Sequence, residues 1–346
     1  MGTQPKEEVM SVSIVGLDIA KSVFQVHGAD DAGNPLIRRQ LRRRDVLRFF
    51  ANLERCVVGI EACHSSHYWA RELIALGHDA RLIPTQYVKP FRRGGKNDAN
   101  DAEAICDALS RPSINTVAVK SAEQQAVQSL HRARERLIHQ RTNTANQIRS
   151  LVAEEGIICA QGIAQLRRCL HDLVADHDGV TPLLRSLVGQ FLEQLAALDQ
   201  WIGELDAKIH ELAKQSGVCR QLMRLAGVGP VIATAILGTV GNAHAFKNGR
   251  QFAASLGLVP GQRSSGGRTQ LLGITKRGDR YLRKLLVQGA RAIMRVVGRH
   301  DDRQSQWVRQ LLTRRHKHVV AVALANKLAR TIWALLVKGE QFEMVR

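Results

Sequence analysis

Aromatic residues are scarce in this 346-residue chain, at 4% of the total. So low a content argues against a surface of stacked nucleobases and aromatic rings as the main mode of nucleic-acid binding. Cysteine provides no metal framework either, because the six cysteines form no CxxC pair. We therefore expect no zinc ribbon, and we expect the reduced thiols of a cytoplasmic protein.

Long apolar runs are missing as well. No run reaches the roughly 18 residues that a membrane-spanning helix needs. The first residues, MGTQPKEEVM, contain no basic segment followed by an apolar one. The sequence thus predicts neither a membrane span nor a signal peptide. Hydrophobic residues nevertheless make up 45% of the chain, which is enough for a core, and the length favours two or three domains.

Acidic residues are outnumbered by basic ones. The chain has 50 Lys and Arg against 31 Asp and Glu, for a formal net charge of +19. Such an excess predicts a polyanionic partner, with nucleic acid favoured over an anionic membrane surface.

The pattern of apolar residues changes twice along the chain. Over residues 11–115, strand-like and helix-like stretches alternate, which predicts an α/β domain with helices on both faces of a sheet. Over residues 121–215, two long stretches have a helical apolar period and predict an antiparallel helical pair or coiled coil, serving as a spacer or dimerisation arm. Residues 217–340 combine apolar and basic amphipathic helices with a Gly- and Arg-rich stretch, and predict a mainly α domain.

Carboxylates concentrate in NDANDAEAICDA, where Asp98 and Asp101 would share one face of a helix. Asp18 in VGLDIAK and Glu61 in VGIEA lie in predicted strands among apolar residues, where an unpartnered acid is rare. Four such acids brought together would form a site for two Mg²⁺ ions suited to phosphodiester chemistry.

Each acid also has a structural interpretation. Asp98 could cap a helix, and Glu61 could pair with a nearby arginine. We interpret Glu103 and Asp107 as solvated helix residues. The histidines of the HSSH stretch lack the spacing of a helical zinc pair and are expected to be surface residues or to lie behind a ligand; they are His64 and His67.

The stretch LAGVGPVIA places Gly227 and Gly229 between two apolar helical segments. This is the pattern of a helix-hairpin-helix, whose turn directs backbone N–H groups at a phosphate without reading sequence. An ordinary helix–helix turn fits the same residues.

A pair of serines, Ser264 and Ser265, precedes Gly266 and Gly267 in what we expect to be a mobile loop. A serine hydroxyl beside arginines can accept a phosphoryl group while the arginines offset the developing charge. A loop that contacts phosphate without covalent chemistry is the alternative. The basic residues expected to contact nucleic acid in this region are Arg263, Arg268, Lys276, Arg277 and Arg283.

The chain resembles the DEDD transposases of the insertion-sequence one-ten type, in particular the eleven-eleven subgroup. The resemblance covers nearly the whole chain and rests on VGLDIAK, VGIEA, KNDANDAEAI, LAGVGPVIATAIL and FAASLGLVPGQRSSGGRTQLLGITKRGDRYLRKLL. It implies a RuvC-like domain of the RNase H fold at residues 11–115, with Asp18, Glu61, Asp98 and Asp101 as catalytic ligands of Mg²⁺. It also implies a coiled-coil dimerisation arm at 121–215 and a transposase domain with a helix-hairpin-helix at 217–340.

The same resemblance implies a recombinase guided by a structured non-coding RNA, the bridge RNA, that pairs with donor and target DNA. Ser265, which precedes a glycine as the family's nucleophile does, would form a covalent phosphoserine link to DNA. Ser264 is adjacent and is the alternative. The position after the GLVP proline is often basic in relatives but is Gly261 here, which weakens any phosphate contact inferred there and leaves the catalytic assignment unchanged.

The assembly implied is a dimer that pairs into a tetramer in the bacterial cytoplasm, at the nucleoid when active. Its active site would be composite, with acids from one protomer and serine from another. The alternative function is a RuvC-like, structure-specific DNA nuclease without a covalent serine step. A non-catalytic, architectural nucleic-acid-binding protein is the third hypothesis, and it needs neither the acids nor the serine.

Overall fold

The computed structural model describes residues 11–93, 97–175 and 180–339. Outside this range lie residues 1–10, on which the signal-peptide expectation rests, together with Lys96 of the acidic motif and residue 340 of the third predicted segment. The chain divides into two compact units. One contains the chain up to Glu123 together with Val240–Asn242, and the other contains Gln124–Thr239 and the chain from Ala243 onwards.

The first unit is built on a five-stranded mixed sheet with the strand order β3-β2-β1-β4-β5. The first three strands form an antiparallel meander, and β1, β4 and β5 run parallel. Short Val- and Ile-rich runs form the central strands, as β propensity predicts. The strands are β1 (Ile14–Ile19), β2 (Val23–Ala29), β3 (Pro35–Arg42), β4 (Val57–Glu61) and β5 (Asp79–Ile83).

Helices cover both faces of this sheet, so the predicted α/β organisation is confirmed. Val15 and Leu17 of β1 pack on one face in a core cluster with Phe50 and Trp69 from the helices there. The other face carries a helix that packs on β1, β2 and β4. The helices of the first face are α1 (Val46–Ala51) and α2 (Ser66–Ala75). On the second face lies α4 (Asp98–Leu109), with the short α3 (Thr85–Val88) packed against it.

The second unit begins with the helical stretches predicted over 121–215. They form α5 (Ala122–Ala153), α6 (Ile163–Ala175) and α7 (Pro182–Gln215). Ion pairs join Arg134 to Asp206 and Arg141 to Asp199, so α5 and α7 run antiparallel. A core cluster of α5, α6 and α7 side chains, including Ile148, closes the far end of the pair.

The expectation that the cysteines are reduced thiols is wrong. Cys159 and Cys169, ten residues apart, form a disulfide that ties the segment after α5 to α6. The four other cysteines are free thiols. The absence of CxxC spacing excludes a common metal motif, but it carries no information about a pair that tertiary packing brings together.

The rest of the second unit is helical apart from one β-hairpin. One helix, α13 (Lys317–Lys338), is long and apolar enough, by length and composition alone, to cross a membrane, a test that core helices also pass. One of its faces, including Leu324 and Leu328, is buried. The elements are α8 (Gly217–Leu222), α9 (Pro230–Thr239), α10 (Gly249–Ser255), β6 (Pro260–Ser265), β7 (Arg268–Ile274), α11 (Arg280–Val296), α12 (Arg303–Leu312) and α13 (Lys317–Lys338).

Candidate active site

Two glycines allow α4 to lie directly on the sheet. Gly16 of β1 and Gly59 of β4 are register partners on neighbouring parallel strands. A Cβ at Gly16 would collide with the carbonyl oxygen of Ala102, and one at Gly59 would lie 3.1 Å from Ile105 Cγ2. Because neither glycine has a side chain, α4 packs close to both strands, and its first turn lies near the ends of β1 and β4.

Three of the four predicted acids meet at this point, and the fourth lies beside them. Asp18 and Glu61 each follow a glycine by two residues, so both side chains lie on the α4 face of the sheet. Asp98 and Asp101 occupy the first turn of α4. Carboxylate oxygens of Asp18, Asp98 and Asp101 lie within 4.8 Å of one another. Glu61 lies beside this trio rather than in it, close enough for its charge to act on Asp18.

Crowding of negative charge alters the chemistry of Asp18. Burial raises the pKa of its carboxyl to about 6, and repulsion from Asp101, Asp98 and Glu61 contributes to the rise in that order. Like charges held this close oppose ionisation unless a cation sits between them. The donor set, made of carboxylate oxygens alone, fits a hard divalent cation such as Mg²⁺.

The capping interpretation of Asp98 is excluded by its neighbour. Asn97 is the N-cap of α4, and its side chain accepts a hydrogen bond of 3.1 Å from the Ala99 N–H. Asp98 is therefore the first residue of the helix, and its carboxylate is not needed as a cap.

Arginines form ion pairs with one of the four acids, Asp101, and with two further acids of α4. Arg92 Nε forms an ion pair with Oδ1 of the buried Asp101, without the geometry of a hydrogen bond. Arg93 pairs with Asp107 at 3.4 Å and Arg38 with Glu103 at 3.7 Å. Glu103 and Asp107, predicted to be solvated helix residues, thus each have an arginine partner.

The serines lie on a β-hairpin, so the predicted mobile loop is wrong. Gly266 and Gly267, with φ of +54° and +76°, form a two-residue turn between β6 and β7. Positive φ at both positions is what the tight turns preferred by hairpins require, and glycine supplies it without strain. Ser264 and Ser265 are the last residues of β6, and both are exposed.

Strand alternation separates the two serines chemically. Ser265 pairs across the hairpin with Arg268 and shares its face with Arg263, two residues earlier. Ser264 points to the opposite face, where Gln262 Nε2 donates a 2.5 Å hydrogen bond to its hydroxyl. Only Ser265 therefore lies on the face that carries both arginines.

The remaining predicted basic residues have different environments. Lys276 and Arg277 are exposed in the turn between β7 and α11, where Lys276 has a positive φ of 56°. Arg283 Nη1 donates to the carbonyls of Leu256 and Arg277 at 2.8 and 2.9 Å. One end of Arg283 therefore holds two loops together, a role that its position in a basic motif did not reveal.

The glycine turn is explained by packing. Gly227 has a φ of +79°, and a Cβ there would collide with Gly289 of α11 and with the side chain of Ile293. A Cβ at Gly229 would meet nothing within 4 Å, so space does not demand glycine there. The turn joins α8 to α9. Packing explains the glycine at position 227, and the phosphate contact of a helix-hairpin-helix stays a prediction.

Sequence reasoning missed three contributors to this site, namely Gly16, Gly59 and Arg92. A glycine two residues before the acid in both VGLD and VGIE is a signal that could have revealed the helix seat. Arg92 gives no such signal, because it precedes α4 in an irregular segment.

Comparison of the sequence with known proteins shows which family the chain belongs to. Residues 15–155 match a DEDD transposase domain of the IS110 type, and residues 219–311 match a domain described as "Transposase IS116/IS110/IS902 family". A "Probable family 20 transposase" of Pseudomonas aeruginosa is 48% identical over 94% of this chain and 97% of its own length. The chain belongs to the IS110 family of insertion-sequence transposases.

Two further relatives of this IS110-family transposase are named for their elements. The transposase for insertion sequence element IS1111A of Coxiella burnetii is 38% identical over 97% of this chain and 93% of its own length. That for IS1328 of Yersinia enterocolitica is 37% identical over 96% and 99%. The transposase therefore acts on DNA, and its DEDD domain together with the acidic cluster indicates the use of a divalent metal.

Proposed function

We propose that this transposase exchanges DNA strands under the direction of a guide RNA, using the four acids as a Mg²⁺ site and Ser265 as the nucleophile. The observation that carries the proposal is the meeting of Asp18, Asp98 and Asp101 within 4.8 Å beside Glu61. The strand order β3-β2-β1-β4-β5, with an antiparallel meander and two parallel strands, supports an RNase H-like, RuvC-like fold for the first unit.

Asp18, Glu61, Asp98 and Asp101 would hold two Mg²⁺ ions, which supply charge neutralisation at the phosphate that is cut. The protein's own part is to place these acids before the metal arrives. The N-terminal end of α4 helps by stabilising the negative charge of its first-turn acids. Arg92 offsets the charge of Asp101.

The covalent step would transfer one phosphodiester bond from DNA to protein. The Ser265 hydroxyl oxygen bonds to phosphorus, the bond from phosphorus to one deoxyribose oxygen breaks, and that oxygen leaves as a hydroxyl with the proton that serine gives up. Attack on the phosphoserine by the hydroxyl of another DNA end then restores the serine. Bonds are exchanged one for one, and Arg263 and Arg268 lie where they can offset charge on the phosphoryl oxygens.

The remaining expectations belong to the same proposal. The α5–α7 pair would act as a coiled-coil dimerisation arm, and dimers would join into a tetramer. The turn at Gly227 and Gly229 would contact phosphate as a helix-hairpin-helix. The basic excess of the chain supports binding of a bridge RNA together with donor and target DNA, in the bacterial cytoplasm.

Detection of a protein–DNA adduct tests the serine step. Purified protein, the element's flanking RNA, both DNA substrates and Mg²⁺ are combined, and adducts that survive denaturation are counted. We expect Ser265→Ala to abolish the adduct and strand exchange while DNA binding persists. Ser264→Ala is the matched control and is expected to keep the adduct, because Ser264 lies on the opposite face.

Other outcomes would redirect the proposal. An adduct lost in Ser264→Ala and kept in Ser265→Ala would transfer the nucleophile to the other serine. Cleavage without any adduct, dependent on Asp18, would favour the RuvC-like nuclease. Activity that survives loss of both Asp18 and Ser265 would contradict both enzymatic hypotheses.

A further inference from the structure

A long groove lies in the second unit beside the hairpin that carries Ser265. Its volume is about 1300 Å³. One wall is the face of α13 that is not buried, including Val319 and Val322, and another is the base of the hairpin at Leu272 and Ile274. Trp307 of α12 contributes an aromatic side chain. The lining is mostly apolar.

This groove is too large for an ordinary small-molecule site. Pockets for such ligands measure roughly 300–1,000 Å³. Val319 and Leu272 in its walls are 55% and 45% exposed, so apolar side chains face solvent along its length. The size favours a segment of a polymer, with apolar groups that can cover these side chains.

The charges around the groove indicate which class of polymer it can bind. The ionisable residues that line it are all basic: Arg250, His318, Lys327 and Arg330. The Lys327 ammonium lies 4.7 Å from the centre of the Trp307 ring, a cation–π contact that holds positive charge against the aromatic wall. A polymer with flat apolar groups and an anionic backbone complements both features.

We propose that this groove binds single-stranded DNA, with unstacked bases against its apolar walls and phosphates at its basic rim. Duplex DNA keeps the flat faces of its bases in the stack, so it cannot place them against apolar walls. The inference that the bound strand is the one cut by the enzyme rests on the proposed role of Ser265. Binding of the strand itself does not.

The hairpin sets a distance along this strand. From Pro260 at the groove to Ser265 at the tip there are five residue steps, roughly 17 Å of strand. The bases in the groove are thus separated from the phosphate that is cut by roughly the length of this strand, 17 Å.

The test uses the full chain without Mg²⁺ and a fluorescein-labelled 12-nucleotide oligo-dT, free or annealed to oligo-dA. Val319→Glu places a negative charge on an exposed groove wall. Val296→Glu is the matched control, because Val296 at the end of α11 is also exposed and is outside the groove. Both variants must show the thermal melt and circular dichroism of the wild type.

By fluorescence anisotropy, Val319→Glu is expected to weaken binding of the single strand about tenfold or more, since a like charge in a binding site is costly. Duplex binding is expected to change less than about twofold, and Val296→Glu to have little effect on either. Lys327→Gln supplies a second measurement, with the slope of log affinity against log salt falling by about one on the single strand.

Three results would overturn the proposal. One is equal weakening by Val319→Glu and Val296→Glu, and another is an equal loss for single strand and duplex. The third is dependence on Val319 of oligo-U binding, or of self-association in sedimentation, with oligo-dT binding intact, which would make RNA or a second copy the occupant. Ser265→Ala is included and should bind oligo-dT as the wild type does. Failure of the serine step therefore leaves the groove result standing.

Discussion

The pKa of Asp18 reflects the crowding of negative charge in the whole acidic cluster. Its carboxyl is half-buried beside three others, and its pKa of about 6 reflects the cost of ionising it there. The folded protein without metal therefore contains repulsion that a divalent cation relieves. Arg92 relieves part of the negative charge at Asp101.

Replacing Asp18 by Asn should raise the stability of the metal-free protein at pH 7. We expect an increase of order 1 kcal/mol, below the full value of the pKa shift because the site is partly solvated. Thermal melts with and without added Mg²⁺ measure this, and the variant should lose the stabilisation that Mg²⁺ gives the wild type. Asp107→Asn, on the same helix but paired with Arg93, is the control and should keep the response to Mg²⁺. A destabilised Asp18→Asn protein would show that the acid is structural.

Much of the acidic site could be predicted from sequence at the residue level. Asp18 and Glu61 interrupt Val- and Ile-rich runs, and Asp98 and Asp101 have helical spacing, so local pattern was enough to select them. Arg92 could not be selected, because its contact depends on how an irregular segment packs. The hairpin was concealed because Ser264, Ser265 and their neighbours are poor strand formers, although a Gly-Gly pair is itself a turn signal.

Helices of the second unit are joined by a buried polar network centred on His131 of α5. Thr234 of α9 donates its hydroxyl to the Pro230 carbonyl at 2.7 Å, so its oxygen accepts from His131 Nε2 at 2.9 Å. His131 Nδ1 then accepts from the Tyr281 hydroxyl of α11 at 3.0 Å. The network therefore needs a neutral imidazole. Burial, and after it the charge of Arg134, lowers the pKa of His131 to about 4.

This network makes stability depend on pH in one direction. The unfolded histidine binds a proton near pH 6.5, whereas the folded one does so only near pH 4, so acidification favours the unfolded chain. The contribution of His131 is complete above pH 6.5 and is lost as the pH falls to about 4, by up to about 3 kcal/mol. Urea unfolding from pH 7 to pH 4 measures it. His131→Gln should be less stable at pH 7 but should show a shallower loss, and an unchanged slope would contradict the assignment.

The order of elements was easier to predict than their exact packing. Alternating strands and helices in the first unit, and the long helices α5 and α7, follow from the period of apolar residues. The seat of α4 on Gly16 and Gly59 and the Cys159–Cys169 disulfide depend on contacts between segments, which periodicity does not describe.

Across the whole molecule, the formal charge of +19 has a measurable consequence. If the exposed residues Arg263, Arg268, Lys276 and Arg277 each neutralise one phosphate, log affinity for duplex DNA should fall with log salt at a slope of about −3.6 or steeper. Affinity would then drop about a hundredfold or more between 50 and 200 mM salt. Titrations by anisotropy at four salt concentrations give the slope.

Two variants separate binding from folding in the same experiment. Arg277→Gln should make the slope shallower by about one without altering the thermal melt. Arg283→Gln should lower the melting temperature, because it removes a donor to the carbonyls of Leu256 and Arg277. A wild-type slope near zero would contradict a phosphate-binding surface altogether.

The alternation of side chains along β6 decides which serine lies on the same face as the two arginines. Successive residues of β6 face opposite sides of the hairpin. Deleting the one residue between Arg263 and Ser265 would therefore leave a single serine, on the opposite face from Arg263. Inserting two residues would lengthen the strand yet preserve the phase. We therefore expect an even change of chain length in β6 to keep Ser265 on the face of Arg263, and an odd change to move it to the opposite face.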